Sequence, residues 1–488
     1  MQLLSETRLY IDGAVRRAAG ERTYDTIGPW TGEVVGRAAD AAAEDVRQAI
    51  AAARRAFDAT AWSTDHSTRF ALLKRLYGLL ESNQERFSTL CRVQGGSALG
   101  YVPRAQLGMA LGCYKALLEL FPQIQWEKDY GEAGPPQYRS HRKVVYEPVG
   151  VVGAITPWNV PLYVNIGKVV SALLAGCTVI LKPAPDTPGV GALMGELAAE
   201  AGFPAGVFNV VTGADPAMAG EMLVTDPRVD LISFTGSTAV GKRIMEKGAP
   251  TLKRLFLELG GKSAKIVLDD APDFAQEVAS TMLVGHAGQG CAVQSRLLVS
   301  RKRYAEAVEI LRRAYAAYEG KWGDFDDPAQ VMGPVISKKQ MERVMGYIEL
   351  GQREGATLLA GGKKRPDKGG GWFIEPTCFV NVTNDMRIAR EEIFGPVLVV
   401  IAFEDENDAV RIANESDYGL SGGIATGDLA QGLRLANRIR TGSVSVNGGM
   451  CIAGDLPFGG YKMSGIGREW GLEGIEEYLE SKVVAWRV

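Results

Sequence analysis

One cysteine, Cys291, lies in the glycine-rich stretch GHAGQGCAVQSR (285–296). A structural thiol is usually surrounded by dense apolar side chains, whereas a reactive thiol needs access and nearby main-chain N–H donors. A catalytic Cys–His pair with His286 is disfavoured, because pairs of the papain type join residues that are distant in the chain, and a packing or hydrogen-bonding role of His286 is expected instead. These residues alone leave the role of Cys291 open.

Two other stretches carry groups that could assist a reactive thiol. Asn159, in AITPWNVP (154–161), is held between two prolines and could present its amide N–H to a developing oxyanion. On these residues alone, an asparagine that only satisfies its own turn is the favoured alternative. Glu258, in LFLELGGKS (255–263), is a carboxylate in an apolar run. Its burial would raise its pKa toward the range of a general base, and the alternative is a salt-bridged glutamate at a strand end.

Two further stretches could bind a phosphate and a sugar. In ISFTGSTAVGKR (232–243) a strand leads through a glycine turn into a helix, which directs main-chain N–H groups at an anion. The stretch nearly matches the phosphate-binding P-loop, but Arg243 stands where that loop has serine or threonine. In EEIFGPV (391–397), Glu392 could accept hydrogen bonds from sugar hydroxyls, and Phe394 could pack against a ring. An ordinary turn and an ordinary loop are the respective alternatives.

The elements that would position these groups alternate between β-branched runs and helical segments. Parallel strands covered by helices on both faces read as short, nearly continuous apolar runs, so the alternation predicts a doubly wound α/β sheet. A second alternating region has strands near 264–268 and 295–300 and helices through 302–319 and 337–354. The first region contains the predicted buried strands GVVGAI (150–155), CTVILKP (177–183), VFNVVTG (207–213) and DLISFTG (230–236).

The composition narrows the function classes. The 488 residues are 46% hydrophobic and 23% charged, which is typical of a globular protein of about three domains or lobes. The net charge of −3 gives no electrostatic case for nucleic acid or an anionic membrane. The longest nearly apolar run, 169–181, is too short to span a bilayer, and the N-terminus lacks the pattern of a secretory signal. Six scattered cysteines and three histidines predict no metal site and a cytoplasmic protein with reduced thiols.

Two segments differ from the alternating pattern. Residues 126–148 are polar and interrupted by proline and glycine before a strand-like run, and the tail 478–488 ends in an apolar, strand-like sequence. A late apolar strand with an unpaired edge needs another segment or another chain to cover it. Oligomerisation through these two segments is therefore plausible.

In this order and spacing, the five chemistry-bearing stretches resemble the aldehyde dehydrogenase superfamily. The most specific feature is LELGGKS followed by GQGC, which places Cys291 33 residues after Glu258. The resemblance covers essentially the whole chain through further motifs: YIDG (10–13), KPAPDTP (182–188), FNVVTG (208–213), NESDYGL (414–420) and PFGGYKMSGIGRE (457–469).

This resemblance implies an aldehyde dehydrogenase-like α/β fold. Residues 1–125 and 149–260 would form a Rossmann-like NAD(P)-binding domain, and residues 261–463 an α/β catalytic domain. Segments 126–148 and 464–488 would form a β-bridging oligomerisation arm that completes a sheet in a partner subunit. A homodimer or homotetramer is therefore expected.

The resemblance also implies a role for each catalytic residue. Cys291 would attack the aldehyde carbon to give a thiohemiacetal, and Asn159 with the Cys291 main-chain N–H would hold the oxyanion. Hydride transfer to the nicotinamide would leave a thioester. Glu258 would activate the water that releases the carboxylic acid. Lys168 would lie near this centre.

For the cofactor, the resemblance implies NAD, with NADP possible. Many NAD-using relatives have a glutamate three residues after the ribose-binding lysine, whereas this chain has Pro185. Lys182 would contact the adenosine ribose, Ser237 the pyrophosphate and Glu392 the nicotinamide ribose, with Phe394 beside the nicotinamide. The full implied set is Ile155, Thr156, Pro157, Trp158, Lys182, Gly213, Phe234, Gly236, Ser237, Leu259, Gly260, Glu392 and Phe394.

The implied substrate pocket contains no lysine or arginine, which favours medium-chain, terpenoid or aromatic aldehydes. Gly167, where several relatives have a bulky aromatic residue, suggests a wider passage. The implied lining is Tyr163, Val164, Gly167, Gly290, Ala292, Met450, Cys451, Ile452 and Phe458.

Two other functions compete with the hydrolytic enzyme. In a CoA-acylating aldehyde dehydrogenase, a thiol replaces water in breaking the thioester. Such members commonly lack the glutamate matched by Glu258, so its presence favours hydrolysis. A non-catalytic scaffold is disfavoured, because Cys291, Glu258 and Asn159 are all retained.

Overall fold

The computed structural model describes residues 3–488 of the chain. Its strands, in chain order, are β1 Leu9–Ile11, β2 Ala14–Arg16, β3 Thr23–Ile27, β4 Val34–Ala39, β5 Glu127–Ala133, β6 Ser140–Pro148, β7 Val151–Ile155, β8 Thr178–Lys182, β9 Phe208–Val210, β10 Leu231–Thr235, β11 Arg254–Glu258, β12 Ala264–Val267, β13 Arg296–Ser300, β14 Thr357–Ala360, β15 Thr377–Val380, β16 Val397–Phe403, β17 Tyr418–Gly419, β18 Ser421–Ala425, β19 Ser443–Val446, β20 Tyr461–Lys462, β21 Gly465–Ile466 and β22 Leu479–Arg487.

The helices surround two large sheets. They are α1 Ala43–Ala59, α2 His66–Ser82, α3 Gln84–Val93, α4 Met109–Leu120, α5 Pro161–Ala175, α6 Pro188–Ala201, α7 Pro216–Thr225, α8 Thr238–Gly248, α9 Phe274–Ala279, α10 Tyr304–Tyr318, α11 Lys338–Arg353, α12 Arg387–Arg390, α13 Glu406–Asn414, α14 Leu429–Ala436 and α15 Gly471–Glu476. A π-helical segment, Val102–Gly108, leads directly into α4. Within residues 3–488, no helix has both the length and the apolar character needed to cross a membrane.

The first large sheet has the strand order β2-β1-β9-β8-β7-β10-β11-β21. The five central strands of this sheet, β9, β8, β7, β10 and β11, are parallel to one another. This confirms the predicted strands of the first alternating region. Side chains of β7 alternate between two cores: Val152 and Ala154 pack with α5 and α6, while Val151 and Ile155 pack with α1 and α7. Both faces of the sheet are therefore covered, as a doubly wound fold requires.

Local sequence explains where the helices of this layer begin and end. Helices α5 and α6 begin at Pro161 and Pro188, at the first helical position, where the missing N–H costs nothing. They end at Gly176 and Gly202, whose φ angles of 99° and 83° lie in the left-handed region that favours glycine. The apolar run 169–181 is buried in α5 and β8.

The second large sheet has the order β14-β15-β16-β13-β12-β18-β19, and all neighbouring pairs except β14–β15 are parallel. The predicted strands near 264–268 and 295–300 are β12 and β13, and the predicted helices are α10 and α11. Leu298 of β13 packs in one core, and Leu297 and Val299 pack in another. This sheet too is buried on both faces.

The carboxyl ends of the first sheet's parallel strands meet along one edge. Ile155 lies opposite Lys182 and Phe234, and Thr235 lies opposite Glu258. After Glu258 the chain passes to the second sheet, whose β12 begins at Ala264. Ligands of open α/β sheets bind outside the carboxyl ends of the strands, so this edge is where a site is expected.

The segments assigned to the bridging arm form a sheet of order β22-β6-β5. The tail strand β22 pairs antiparallel with β6 along its whole length, so its own chain covers one of its edges. Val483 and Trp486 of β22 stay exposed. Residues 464–488 also contribute elsewhere, because β21 pairs with β11 at the edge of the first sheet. The domain boundaries and the bridging of a partner subunit stay predictions.

Candidate active site

The loop that carries Cys291 runs between a 3₁₀ turn, Gly285–Gly288, and β13. A Cβ on Gly288 would lie 2.3 Å from the carbonyl oxygen of Gly395, and a Cβ on Gly261 would lie 2.5 Å from that of Cys291. These glycines are therefore needed because three loops approach closely, and not only to leave the thiol open. Burial, followed by the charges of Glu258 and Glu392, raises the pKa of the half-buried Cys291 thiol to about 12. At rest the sulfur is protonated.

Asn159 lies between the end of β7 and the start of α5, and it is buried. Its Nδ2 donates a hydrogen bond to the main-chain oxygen of Gln289, 3.0 Å away and two residues before Cys291. The side chain therefore bonds across the site and not within its own turn. It brings the end of the first sheet to the nucleophile loop.

Glu258, the last residue of β11, is buried at 2% exposure. Within the described residues, neither carboxylate oxygen has a hydrogen-bond partner or forms a salt bridge. Burial, then the negative charge of Glu469, raises the pKa of Glu258 well above its usual value, and the cations Lys168 and Arg468 oppose this. A Cβ on Gly459 would lie 2.7 Å from Oε1, so this glycine leaves the carboxylate its space.

Lys168 is fully buried on α5, and it pairs with a residue that the sequence reasoning missed. Its Nζ lies 3.2 Å from Glu469 Oε1 and donates to Ser233 Oγ at 3.2 Å. The ammonium also lies 4.7 Å from the centre of the Phe256 ring. Burial raises the pKa of Glu469 although Lys168 lowers it. The GRE of the motif at 457–469 was the available signal for Glu469.

A cleft of about 400 Å³ opens at the carboxyl edge of the first sheet. Burial lowers the pKa of Lys182 to about 8, and Asp186 and Asp215 offset part of this effect. Asp186, Glu221, Arg243 and Lys247 also line the cleft and were not anticipated. The implied cofactor residues that line it are Ile155, Thr156, Pro157, Trp158, Lys182, Phe234 and Gly236.

Trp158 and Asp186 also line a second cleft of about 370 Å³, which continues to Lys339, Gln340 and Arg343 of α11. These three α11 residues were missed, because nothing in the sequence links that helix to the edge of the first sheet. The ring of Phe394 lies perpendicular to that of Trp158, with 5.3 Å between the ring centroids. Trp158 is therefore the implied cofactor residue that lines both clefts.

The remaining implied cofactor residues are placed around these clefts. Ser237 caps the N-terminus of α8, and Arg243 of that helix, where the P-loop has serine or threonine, pairs with Glu221. Glu392 Oε1 accepts from the Gly261 N–H at 3.0 Å, and burial raises the pKa of this carboxyl. Leu259 is buried against α8 where Gly241 allows close approach.

Two glycines of the implied cofactor set differ in their surroundings. A Cβ on Gly260 would lie 2.5 Å from Glu392 Oε2, so this glycine is needed for the carboxylate to approach. Gly213 lies after β9, where the nearest atom to an added Cβ is Asp40 Oδ1 at 3.6 Å. It is not among the residues that line the two clefts.

The implied substrate residues fall into a mouth and an interior. Met450 and Ile452 line an open mouth of about 650 Å³, whose opposite wall is α4 with Met109, Gly112 and Cys113. Sequence reasoning missed the wall formed by α4. All residues that line this mouth belong to the described chain, and none is lysine or arginine, whereas Glu119 and Asp455 are present.

In the interior, Tyr163 packs against Trp470 with 4.6 Å between ring centroids, and Val164 is buried. Phe458 is buried beside the main chain of Glu469, and Cys451 is half-buried. Gly290 and Ala292 flank Cys291, and the Ala292 carbonyl accepts from Ser421 Oγ at 2.8 Å.

The expectation that Gly167 widens the passage is wrong. A Cβ at this position would lie 2.9 Å from the Glu469 carboxyl carbon and 2.9 Å from the Trp470 ring. The space that a larger side chain would occupy is therefore filled by Trp470 and Glu469. Glycine at 167 permits the close packing of α5 against these two residues.

Comparison with known proteins decides the family. Residues 15–484 match the family model described as the Aldehyde dehydrogenase family. The chain belongs to the aldehyde dehydrogenase family. It is 40% identical over 481 residues to the mitochondrial aldehyde dehydrogenase of Leishmania tarentolae. The aligned region covers 98% of this chain and 94% of that relative.

Solved structures of aldehyde dehydrogenases share this fold. That of the Mycobacterium tuberculosis aldehyde dehydrogenase complexed with NAD+ is 40% identical, covers 99% of this chain and 98% of its own, and has a TM-score of 0.93. That of a mutant Pseudomonas syringae aldehyde dehydrogenase C in complex with NAD+ and octanal is 36% identical, covers 98% and 96%, and has a TM-score of 0.91. The α/β fold class and the enzyme class, an NAD(P)-dependent aldehyde dehydrogenase, are confirmed.

Proposed function

We propose that this aldehyde dehydrogenase oxidises an apolar aldehyde to the free carboxylic acid through a thioester on Cys291. The single observation that carries the proposal is Glu258, a buried carboxylate without a hydrogen-bond partner within residues 3–488, whose charge acts on Cys291. A buried charge of this kind is costly for stability and is typical of a group kept for catalysis. A structural glutamate would have a partner.

The two adjoining clefts suit a dinucleotide. They lie at the carboxyl ends of parallel strands and at the N-terminus of α8, where N–H groups attract phosphate. Lys182 would contact the adenosine ribose, Ser237 the pyrophosphate and Glu392 the nicotinamide ribose. NAD+ bound there supplies the hydride acceptor, and we propose NAD with NADP as the second choice. The similar solved structures from Mycobacterium tuberculosis and Pseudomonas syringae contain NAD+, which supports the choice of NAD before NADP.

The residues divide the reaction into two halves. In the first, the Cys291 thiol loses its proton to solvent and the sulfur bonds to the aldehyde carbon. The Asn159 amide and the Cys291 N–H stabilise the oxyanion, and loss of hydride from the carbon leaves a thioester. In the second half, Glu258 takes a proton from water. The hydroxyl displaces the sulfur, which releases the acid, and Glu258 passes the proton to the displaced sulfur, which restores the thiol.

The mouth favours neutral, apolar aldehydes. Its lining is mainly apolar, its charged side chains are the carboxylates Glu119 and Asp455, and the neighbouring structure from Pseudomonas syringae contains octanal. Each buried CH₂ contributes up to about 0.8 kcal/mol, or about fourfold in affinity. Medium-chain, terpenoid or aromatic aldehydes should bind best, because an anionic aldehyde would lose water without gaining a cation.

An aldehyde panel tests this function and its main alternative. With NAD+ and no CoA, octanal and benzaldehyde should give NADH and the free acid, with a higher kcat/KM than acetaldehyde or succinic semialdehyde, chiefly through a lower KM. A requirement for CoA, with acyl-CoA as product, would instead identify a CoA-acylating enzyme. A clear preference for succinic semialdehyde would contradict the apolar pocket.

Assembly and location complete the proposal. A homodimer or homotetramer formed through the β5-β6-β22 sheet is supported by the exposed Val483 and Trp486 on β22. A cytoplasmic location is supported by the six cysteines of the described chain, which are all free. Light scattering on the full chain and on a chain ending at residue 478 would test the arm, because the shorter chain should be monomeric.

A further inference from the structure

Behind Asn159 lies a buried polar group that neither the cofactor clefts nor the mouth includes. Gln106, 1% exposed, projects from the π-helical segment Val102–Gly108. Its Nε2 donates to the main-chain oxygen of Asn159 at 2.8 Å and to Ser97 Oγ at 2.9 Å. Because a main-chain carbonyl can only accept a hydrogen bond, the amide nitrogen of Gln106 must face Asn159.

The side chain of Asn159 is fixed from the opposite direction. Its Nδ2 donates to the Gln289 carbonyl, which can also only accept, so the amide of Asn159 has a single orientation. Gln289 is itself held, since its Nε2 donates to the His286 carbonyl at 3.0 Å and its Oε1 accepts from the Ile336 N–H at 2.8 Å. Asn159 is thus clamped at its main chain by Gln106 and at its side chain by the nucleophile loop.

His286 connects these two clamps. Its Nδ1 lies 3.4 Å from Ser97 Oγ, and its ring stacks on that of Tyr101, with 5.4 Å between centroids and 12° between planes. Burial lowers the pKa of His286 to about 4, so the ring is neutral at physiological pH. Its backbone adopts a left-handed conformation, with φ at 47°, which histidine tolerates better than most residues. The nucleophile loop is therefore joined at two points to the chain that directly precedes the π-helical segment.

The π-helical segment is an unusual element to find in this position. π-Helical turns are rare and are frequently found at functional sites. Here the segment leads into α4 and places the Gln106 amide against the Asn159 carbonyl, while Gln106 Oε1 has no partner among residues 3–488.

We infer that Gln106 is a positioning residue for the oxyanion-binding amide of Asn159. The bond from Nε2 fixes the main chain of Asn159, so that its side-chain N–H is set in place before the aldehyde arrives. This inference rests on the proposed function, because it assumes that Asn159 stabilises the oxyanion. Small displacements of such a group are costly, since a shift of 1 Å can slow a reaction by about 10²-fold.

A double-mutant cycle tests the inference in the full-length enzyme. The rate of the first NADH turnover, with saturating NAD+ and octanal, is measured for the wild type, Gln106→Met, Asn159→Ala and the double variant. Gln106→Met should lower the rate about tenfold in the wild type, but less than about twofold in Asn159→Ala. The NAD+ dissociation constant should not change. Gln106→Leu, which also cannot donate, should behave alike and replaces Gln106→Met if that variant does not fold.

Gln94→Met is the matched control. Gln94 is equally buried, but its side chain accepts from the Gly189 N–H and has no bond to Asn159, so its replacement should change the rate less than about twofold. An equal loss from Gln106→Met in both backgrounds, or no loss in either, would overturn the positioning role. If Asn159→Ala itself left the first turnover unchanged, the proposed oxyanion role would fail, and the positioning role with it.

Discussion

The cofactor clefts and the nucleophile site lie at the same edge of the first sheet but are built in different ways. The clefts are lined by residues at the ends of consecutive parallel strands, such as Ile155, Lys182 and Phe234. The nucleophile site combines Asn159, Glu258 and Cys291 from three segments that touch only where glycines allow it. Binding surface thus follows from sheet topology, whereas the reactive centre depends on close tertiary packing.

The two regions also differ in how their charges are balanced. In the cleft, burial lowers the pKa of Lys182, but Asp186 and Asp215 partly restore it. At the nucleophile site, Glu258 has no partner within residues 3–488, and its charge helps to raise the pKa of Cys291 to about 12. Unpartnered buried groups are rare in folded proteins and mark sites where stability is given up for chemistry. Substitutions in the two regions should therefore have different kinetic signatures.

The largest effect is expected at the thiol. Cys291→Ala should lower the rate of NADH formation at least about 10⁴-fold, because the covalent centre is lost, while NAD+ binding measured by calorimetry should persist. Cys378→Ala, in the buried core of the second sheet, should leave kcat within about twofold. Near-normal turnover of Cys291→Ala would show that the reaction does not depend on this thiol, and that the reactive centre lies elsewhere.

The next largest effects are expected for one residue of each region, and they should change different kinetic constants. Asn159→Ala should lower kcat about 10²–10³-fold, as is usual when one oxyanion donor is lost. Lys182→Met should instead raise the KM for NAD+ about tenfold with little change in kcat, since a charged hydrogen bond to the cofactor is lost.

Lys247→Met is the control within the cleft. Lys247 lines the same cleft but is exposed, so its replacement should change the KM for NAD+ less than about threefold. If Asn159→Ala changed only KM, or Lys182→Met changed only kcat, the division between binding cleft and reactive centre would be wrong.

The smallest effect concerns packing beside the reactive centre. Gly167→Ala should lower the free energy of unfolding by about 1–3 kcal/mol, because its methyl group would meet Glu469 and Trp470 at 2.9 Å. Gly78→Ala, also within a helix but with no atom beyond its own helix backbone within 4 Å of the added carbon, should be neutral or stabilise by up to about 1 kcal/mol. Chemical denaturation of both variants measures the difference. Equal stability of the two variants would restore the open passage that Gly167 first suggested.

The sequence predicted well those features that depend on local pattern. The strands that carry Ile155, Lys182 and Thr235 are short apolar runs between helical segments, and the period of the pattern identifies them without tertiary information. Residues at the ends of such strands meet at one edge by topology alone. The implied cofactor residues themselves came from the family resemblance, and the topology explains why those at the strand ends line one cleft.

The missed features depend on contacts between distant segments. Glu469 pairs with Lys168 across about 300 residues, and the α4 wall of the mouth faces Met450 only because the chain folds back. The interpretation of Gly167 was wrong for the same reason, since a missing side chain shows a space but not what fills it. Gln106 carried no signal, because nothing local distinguishes a π-helical turn from the helix that follows.

The central claim is that Glu258 acts on the thioester held by Cys291, and the Glu258→Gln variant tests it most directly. Stopped-flow mixing with saturating NAD+ and octanal should show a burst of about one NADH per active site, followed by turnover about 10²–10⁴-fold slower than in the wild type. Intact mass measurement after the burst should find the octanoyl group on Cys291. If the burst disappeared together with turnover and no acyl group formed, Glu258 would act before the thioester, and its role as the hydrolytic base would be wrong.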